Sequence, residues 1–200
     1  MRFHSPRSVC WKAAWNPRHP DTGIEHVGLV GRTADSALLA IDEDGEPFRL
    51  AYRLSWDAQG RLRRADLRSC KGLARRRLAL RGDAAGHWTD GSGTPLPALD
   101  GCVDIDIWPT PLTNSFPLWR AGLRVGERRG FRMAWVRAPE LVVQAKAQAY
   151  TRCADRLYRF ESLDGSGFEC LLRVDEAGLV LDYPGLFERI GPAAATAKAQ

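Results

Sequence analysis

The chain has 200 residues, 44% of them hydrophobic and 26% charged, which suits one globular domain and excludes a disordered or fibrous chain. No apolar run approaches the ~18–20 residues of a membrane span. The net charge of +5 leaves an anion-binding surface open, while five widely spaced cysteines without a Cys-x-x-Cys pair exclude a zinc ribbon or thioredoxin-type site and read as reduced, mostly buried thiols.

The N-terminus, Met1-Arg-Phe-His-Ser-Pro-Arg-Ser8, is basic but has no apolar stretch behind it. It therefore does not read as a secretory signal, and a cytoplasmic location is expected. Period-two alternation then predicts strands over 27–32, 36–41, 47–55, 61–68 and 73–81. Three turns punctuate them: Asp42-Glu-Asp-Gly45, Asp57-Ala-Gln-Gly60 and Asp83-Ala-Ala-Gly86. Aspartate opens such a turn by accepting from a backbone N–H two residues on, and glycine supplies the positive φ that closes it. The arginines of 61–81 alternate with leucines, as on the solvated face of a sheet. No nucleic-acid partner is expected.

The stretch Asp100-Gly-Cys-Val-Asp-Ile-Asp-Ile-Trp-Pro-Thr-Pro-Leu-Thr-Asn114 concentrates the chemistry. As a strand over 101–107 it places Asp100, Cys102, Asp104 and Asp106 on one face and Val103, Ile105 and Ile107 on the other. The carboxylate face must meet water, donors or a ligand, because unpaired buried carboxylates are too costly. Three prolines follow within nine residues, so the chain is expected to leave the sheet as a stiff polar loop suited to binding.

Further strands are predicted over 130–137, 140–150, 155–162, 168–174 and 178–183, with a fourth Asp-x-x-Gly turn at Asp175-Glu-Ala-Gly178. Residues 140–150 carry helix-favouring alanine and glutamine, but Val143, Ala145, Ala147 and Ala149 alternate with polar residues and read as strand. Residues 184–190 suit a turn or two of helix. The segments 50–60 and 169–178 resemble each other around their turns, as in a duplicated meander. One domain over 1–190 is expected, with a disordered tail over 191–200. The fold class is all-β: a single strongly curved antiparallel sheet forming a spiral β-roll or incomplete barrel, with at most short helical turns.

Several chemistries fit poorly. The acidic ladder is similar to the Asp-Gly-x-Asp-x-Asp-x-Glu motif of chitinase-type glycosidases, but the spacing differs and Trp108 stands where the proton donor belongs. Asp104 and Asp106 could offer oxygen to a hard cation, yet no histidine lies near them, and bonds to loop N–H groups or arginines explain them more simply. There is no nucleophile elbow and no phosphate-cradling loop. No catalytic residue, metal or cofactor is assigned. Most of the seven tryptophans are expected in the core, with a minority lining a cavity.

The block from Leu99 to Arg120, with Asp100-Gly-Cys-Val-Asp-Ile-Asp-Ile and Thr110-Pro-Leu-Thr-Asn-Ser-Phe-Pro117, resembles a family of bacterial proteins described as glycolipid-binding. Two further blocks match it: Gln148-Ala-Tyr-Thr151 with Tyr158-Arg-Phe160, and 174–189 around Asp182-Tyr-Pro-Gly-Leu-Phe187. The resemblance spans roughly residues 10 to 190. The chain departs from the family pattern at Leu112 (usually aromatic), at Phe116 and at Trp119 (usually basic). The resemblance implies a spiral β-roll similar to lipoprotein carriers of the bacterial envelope, with glycolipid binding inferred from that shape.

The expected function is therefore non-enzymatic binding of an amphipathic, glycolipid-like small molecule on the concave side of the roll. Asp104, Asp106, Thr110, Thr113, Asn114 and Arg120 are expected at its polar rim, joined by Gln148, Tyr150 and Tyr158 from the second block. The alternative is an enzyme on a small polar substrate with Asp104 or Asp106 as acid or base.

Overall fold

A computed structural model describes residues 1–16, 22–83 and 85–191. In chain order the strands are β1 (Phe3–Ala13), β2 (Gly23–Gly31), β3 (Thr33–Ile41), β4 (Pro47–Trp56), β5 (Leu62–Lys71), β6 (Ala74–Gly82), β7 (Trp88–Asp90), β8 (Asp104–Trp108), β9 (Arg128–Arg137), β10 (Val142–Ala154), β11 (Leu157–Ser162), β12 (Glu169–Val174), β13 (Val180–Tyr183) and β14 (Phe187–Ile190). One short helix, α1 (Ser115–Ala121), follows β8. All fourteen strands belong to one curved, unclosed sheet of order β7-β6-β5-β4-β3-β2-β1-β14-β13-β12-β11-β10-β9-β8. Strands β1 to β7 form one antiparallel meander and β9 to β14 a second. Pairing of β1 with β14, Cys10 opposite Ile190, welds the two arms into one sheet. No helix among the described residues is long and apolar enough to cross a membrane.

Every strand read from alternation is present, including β10 over the ambiguous 140–150. The Asp-x-x-Gly turns form as their chemistry demands. In each, the aspartate Oδ1 accepts from the N–H groups two and four residues on: Asp44 and Glu46 for Asp42, Gln59 and Arg61 for Asp57, Ala85 and His87 for Asp83, Ala177 and Leu179 for Asp175. Asp90-Gly-Ser-Gly93 adds a fifth of the same kind. The closing glycines all have positive φ, and Gly178 is doubly constrained because a Cβ there would lie 2.8 Å from Trp119 Nε1.

The structure departs from the sequence reading at several points. Strand β1 is hidden in sequence by Pro6, which sits at a register shift between Phe3 and Arg7 where proline is tolerated. Residues 184–190 make a turn and then β14, a four-residue strand whose partner β1 lies at the far end of the chain. The stiff loop after β8 is not a surface loop: Thr110, Leu112, Thr113 and Asn114 are buried, and the chain continues into α1 with Pro117 in its first turn. Finally, β8 pairs with β9 in parallel, the one parallel pair in the sheet. A parallel neighbour requires a crossover, and the segment carrying α1 supplies it. Of the thiols, all free, Cys102 is fully buried and Cys153 exposed, so burial is less general than expected. The expected disordered tail falls on 192–200, outside the described residues.

The crossover fills the roll. Phe116 and Trp119 of α1 pack with Trp56 of β4, ring centroids 5.2–5.7 Å apart, and Trp119 Nε1 donates to Ala177 O at 2.7 Å. Trp11, Trp56 and Trp88 are buried as expected of core tryptophans. At the seam between arms, Asp175 also holds Arg7 at 2.5 Å and Arg189 at 3.3 Å, and Arg189 lies 4.8 Å from the Trp11 ring centroid. Asp175→Ala therefore removes the acceptor of two backbone N–H groups and two ion pairs at once. We expect it to destabilise the fold by about 2–3 kcal/mol, more than Asp83→Ala at an exposed turn. Urea unfolding midpoints of the two variants check this ranking.

Candidate functional site

Residues paired across a sheet point the same way. Asp104, Asp106 and Trp108 of β8 therefore share a face with Met133, Trp135 and Arg137 of β9, and through them with Lys146 and Gln148 of β10. Ile105 and Ile107 point oppositely and are buried. The split of acidic and apolar faces holds from Asp104 onwards. Residues 100–103 form a turn after the 3-10 segment Pro97–Leu99, so Asp100 and Cys102 are not part of the ladder.

The acidic face looks into a cleft of about 390 Å³ on the inner side of the second arm, within the size range of small-molecule pockets. One wall is a continuous aromatic run: Trp108 to Phe187 (6.3 Å between centroids), Phe187 to Tyr183 (6.0 Å), Tyr183 to Phe160 (6.2 Å) and Phe160 to Phe168 (6.0 Å). Opposite stands Trp135, with Lys146 Nζ 3.8 Å from its ring centroid and 3.2 Å from Asp164. The floor is polar and made of Asp106, Thr110, Asn114 and Gln148.

That floor is one hydrogen-bonded network. Asp106 accepts from Thr113 Oγ1 at 3.1 Å and from Gln148 Nε2. Tyr150 OH donates to Gln148 Oε1 at 3.4 Å and accepts from Asn114 Nδ2 at 2.9 Å. Thr113 Oγ1 also accepts from Ile107 N, which ties the loop back to β8. Burial pushes the Asp106 carboxyl above its ordinary value, opposed by the Gln148 and Thr113 bonds and by the Lys146 charge. Burial likewise raises Asp104, but here the Arg120 guanidinium answers it with an ion pair at 2.6 Å.

A third carboxylate was not anticipated. Glu25 of β2 is fully buried, with no cation beside it. Its Oε1 accepts from Ser36 Oγ and Tyr52 OH, each at 2.7 Å, and its Oε2 accepts from Thr110 Oγ1 at 2.7 Å. Desolvation lifts its pKa to about 7, and the three hydroxyls only partly offset this. Thr110 thus joins the cleft floor to a buried acid of the first arm. The sequence carried a signal for Glu25, which alternates in phase with the buried Val27 and Leu29.

Of the residues expected to bind, Asp106, Thr110, Asn114 and Gln148 line the cleft. Thr113 and Tyr150 lie behind the floor and hold it. Asp104 and Arg120 are engaged with each other away from the cleft. Tyr158 is half-buried, 5.9 Å from Arg152. The aromatic wall, with Trp135 and Lys146, was not singled out, because it comes from six strands and the residue before β12, whose juxtaposition no local pattern reports. Among the described residues no three His, Cys, Asp or Glu side chains are grouped to hold a metal ion.

Two outcomes follow. Arg120→Ala leaves Asp104 buried without its counter-charge and should cost about 3 kcal/mol, with Asp104→Asn in the same chain recovering much of the loss, as read from unfolding midpoints. Glu25 binds its proton more tightly folded than unfolded, so its contribution is fully present below about pH 4.5 and is lost as pH rises through about 7. Glu25→Gln abolishes that dependence. The stability difference between wild type and variant should change by about 3 kcal/mol between acid and mildly alkaline pH, favouring the variant at high pH. Parallel stability profiles would overturn the assignment.

Comparison with known proteins bears on this geometry. The model of a protein family described as "Putative glycolipid-binding" matches residues 10–189. A solved crystal structure of a DUF1089 family protein from Pseudomonas aeruginosa superposes with a TM-score of 0.83 at 48% identity, covering 86% of this chain and 94% of the other. No curated protein matches.

Proposed function

This chain belongs to the family matched over residues 10–189, and on that footing we propose that it binds an amphipathic, sugar-bearing small molecule in the cleft. One observation carries the reading: a continuous aromatic wall faces a floor of buried amide and hydroxyl groups and the half-buried Asp106 carboxylate. Sugar rings have the same two-sided character, with apolar C–H faces that lie on aromatic rings and hydroxyl edges that need donors and acceptors. The family description supports a glycolipid as the ligand class.

The size of the cleft narrows the pose. The rest of the concave interior is occupied by α1 and the core, so the cleft takes a head group and not a long acyl chain. The chain of the lipid leaves through the open mouth, past the exposed Phe168 and Leu163. In this pose Asp106, Asn114 and Gln148 bond the head group, Thr110 sits beside them, and Trp108 and Trp135 cover its faces.

Native mass spectrometry of the purified protein, before and after organic extraction, tests the reading. A co-purified ligand should be lost on extraction, and adding the extract back should change tryptophan fluorescence. Trp135→Ala should weaken rebinding about tenfold with little change in stability, whereas Gln148→Ala should weaken it and also cost about 1–3 kcal/mol of stability, because it strips a partner from Asp106 and Tyr150. Absence of any bound species and of any fluorescence response would sink the proposal.

A second reading, an enzyme with Asp106 as general acid, is favoured by the raised carboxyl of a residue inside a cleft. Under it, Asp106→Asn abolishes turnover of the bound species while binding stays within a few fold. Equal recovery of unaltered ligand from wild type and variant rules it out.

A further inference from the structure

The convex face of β4–β6 has no role in the cleft, yet its charge is not that of an ordinary solvated sheet. The registers place Arg49, Arg53, Arg68, Arg75 and Arg77 on this one face, all exposed and none in an ion pair among the described residues. Arg64 and Arg81 lie on the same face and hold Asp66 between them. Asp35 of β3, opposite Arg53, is the other acid nearby. Seven arginines thus meet two aspartates. Arg68 and Arg77 are direct register partners, a like-charge pairing that costs stability and that no acid relieves. Lys71 is what neutralises the acidic β3–β4 turn, through Asp42 and Asp44, so the arginines stay uncommitted.

Exposed apolar groups border this field. Ile24 and Leu39 are register partners next to Arg49 and stand 47% and 61% exposed. Leu73, at the tip of the β5–β6 hairpin between Lys71 and Arg75, is 100% exposed. No large aromatic residue is exposed on the face.

We infer that this convex face docks onto an anionic lipid bilayer, with the arginines on the headgroups and Leu73, Leu39 and Ile24 at the interface. Charge complementarity selects a polyanion, and the broad sheet face with apolar border residues matches a membrane surface. A nucleic acid fits less well, because single strands use aromatic stacking platforms and duplex grooves admit a helix or narrow ribbon. The inference stands independently of the cleft.

Cosedimentation of the full chain with vesicles tests it, using phosphatidylcholine alone and phosphatidylcholine mixed with phosphatidylglycerol. Binding is expected only to the mixed vesicles and should fall as salt rises. Arg68→Ala combined with Arg77→Ala should lower partitioning roughly thirtyfold, the equivalent of about 1 kcal/mol per arginine. Leu73→Ser should lower it roughly tenfold. These side chains are exposed, so the variants keep the fold, and unchanged circular dichroism checks that. Trp135→Ala should leave vesicle binding intact, which separates this surface from the cleft. Equal binding to neutral vesicles, indifference to the arginine pair, or salt-sensitive capture of duplex DNA without vesicle binding would each overturn it.

Discussion

Strand β8 has to satisfy two opposed surfaces at once. Ile105 and Ile107 on one face belong to the buried core, while Asp104 and Asp106 on the other look into the second arm. A strand covered on both sides must bring partners for every polar group it carries, since an unpaired carboxylate in such a place costs several kcal/mol. The parallel pairing with β9 meets this demand through its crossover. The segment after β8 returns across the strand and delivers Thr113 to Asp106 and Arg120 to Asp104, with Asn114 bonding Tyr150 beside them. The cleft, the filled interior and the position of α1 all depend on that return.

Two buried acids and one half-buried one show three solutions to the same problem. The Asp104 carboxyl is raised by burial and opposed by its ion pair with Arg120, which serves as a structural clasp. Asp106 is answered by an amide and a hydroxyl, a weaker response that leaves it facing the cleft with a raised carboxyl. Glu25 receives only hydroxyls, and its pKa rises to about 7. The difference in kind follows from solvation: a guanidinium supplies net charge against desolvation, whereas neutral donors supply only dipoles. Thr110 touches both the cleft and Glu25, so the floor of the cleft is continuous with a group that changes charge near neutral pH.

The two arms divide their labour. The second arm turns its aromatic and polar side chains inward and forms the cleft. The first arm buries an apolar inner face, and its outer face carries five exposed arginines that make no ion pair among the described residues, beside Arg64 and Arg81, which hold Asp66. Both properties use the same period-two alternation, read on opposite faces of one sheet.

Alternation and turn chemistry made much of the fold legible. The eleven strands with clear period-two patterning, the Asp-x-x-Gly turns and the all-β roll follow from local rules, because an aspartate two residues before an N–H and a glycine free to take positive φ act within five residues. The strands missed, β1, β7 and β14, are interrupted by Pro6 or too short to show a period. For the site, the 104–114 motif and Gln148 were legible as polar groups in strand phase. Their sorting into cleft floor, supporting layer and the Asp104–Arg120 clasp was not. The sequence by itself determined the strands, their turns and which side chains share a face, since these depend on neighbours in the chain. Only the tertiary structure decided the parallel turn-back of β8, the aromatic wall and the burial of Glu25. Each requires residues distant in sequence to meet, and desolvation is set by what meets, not by what is adjacent.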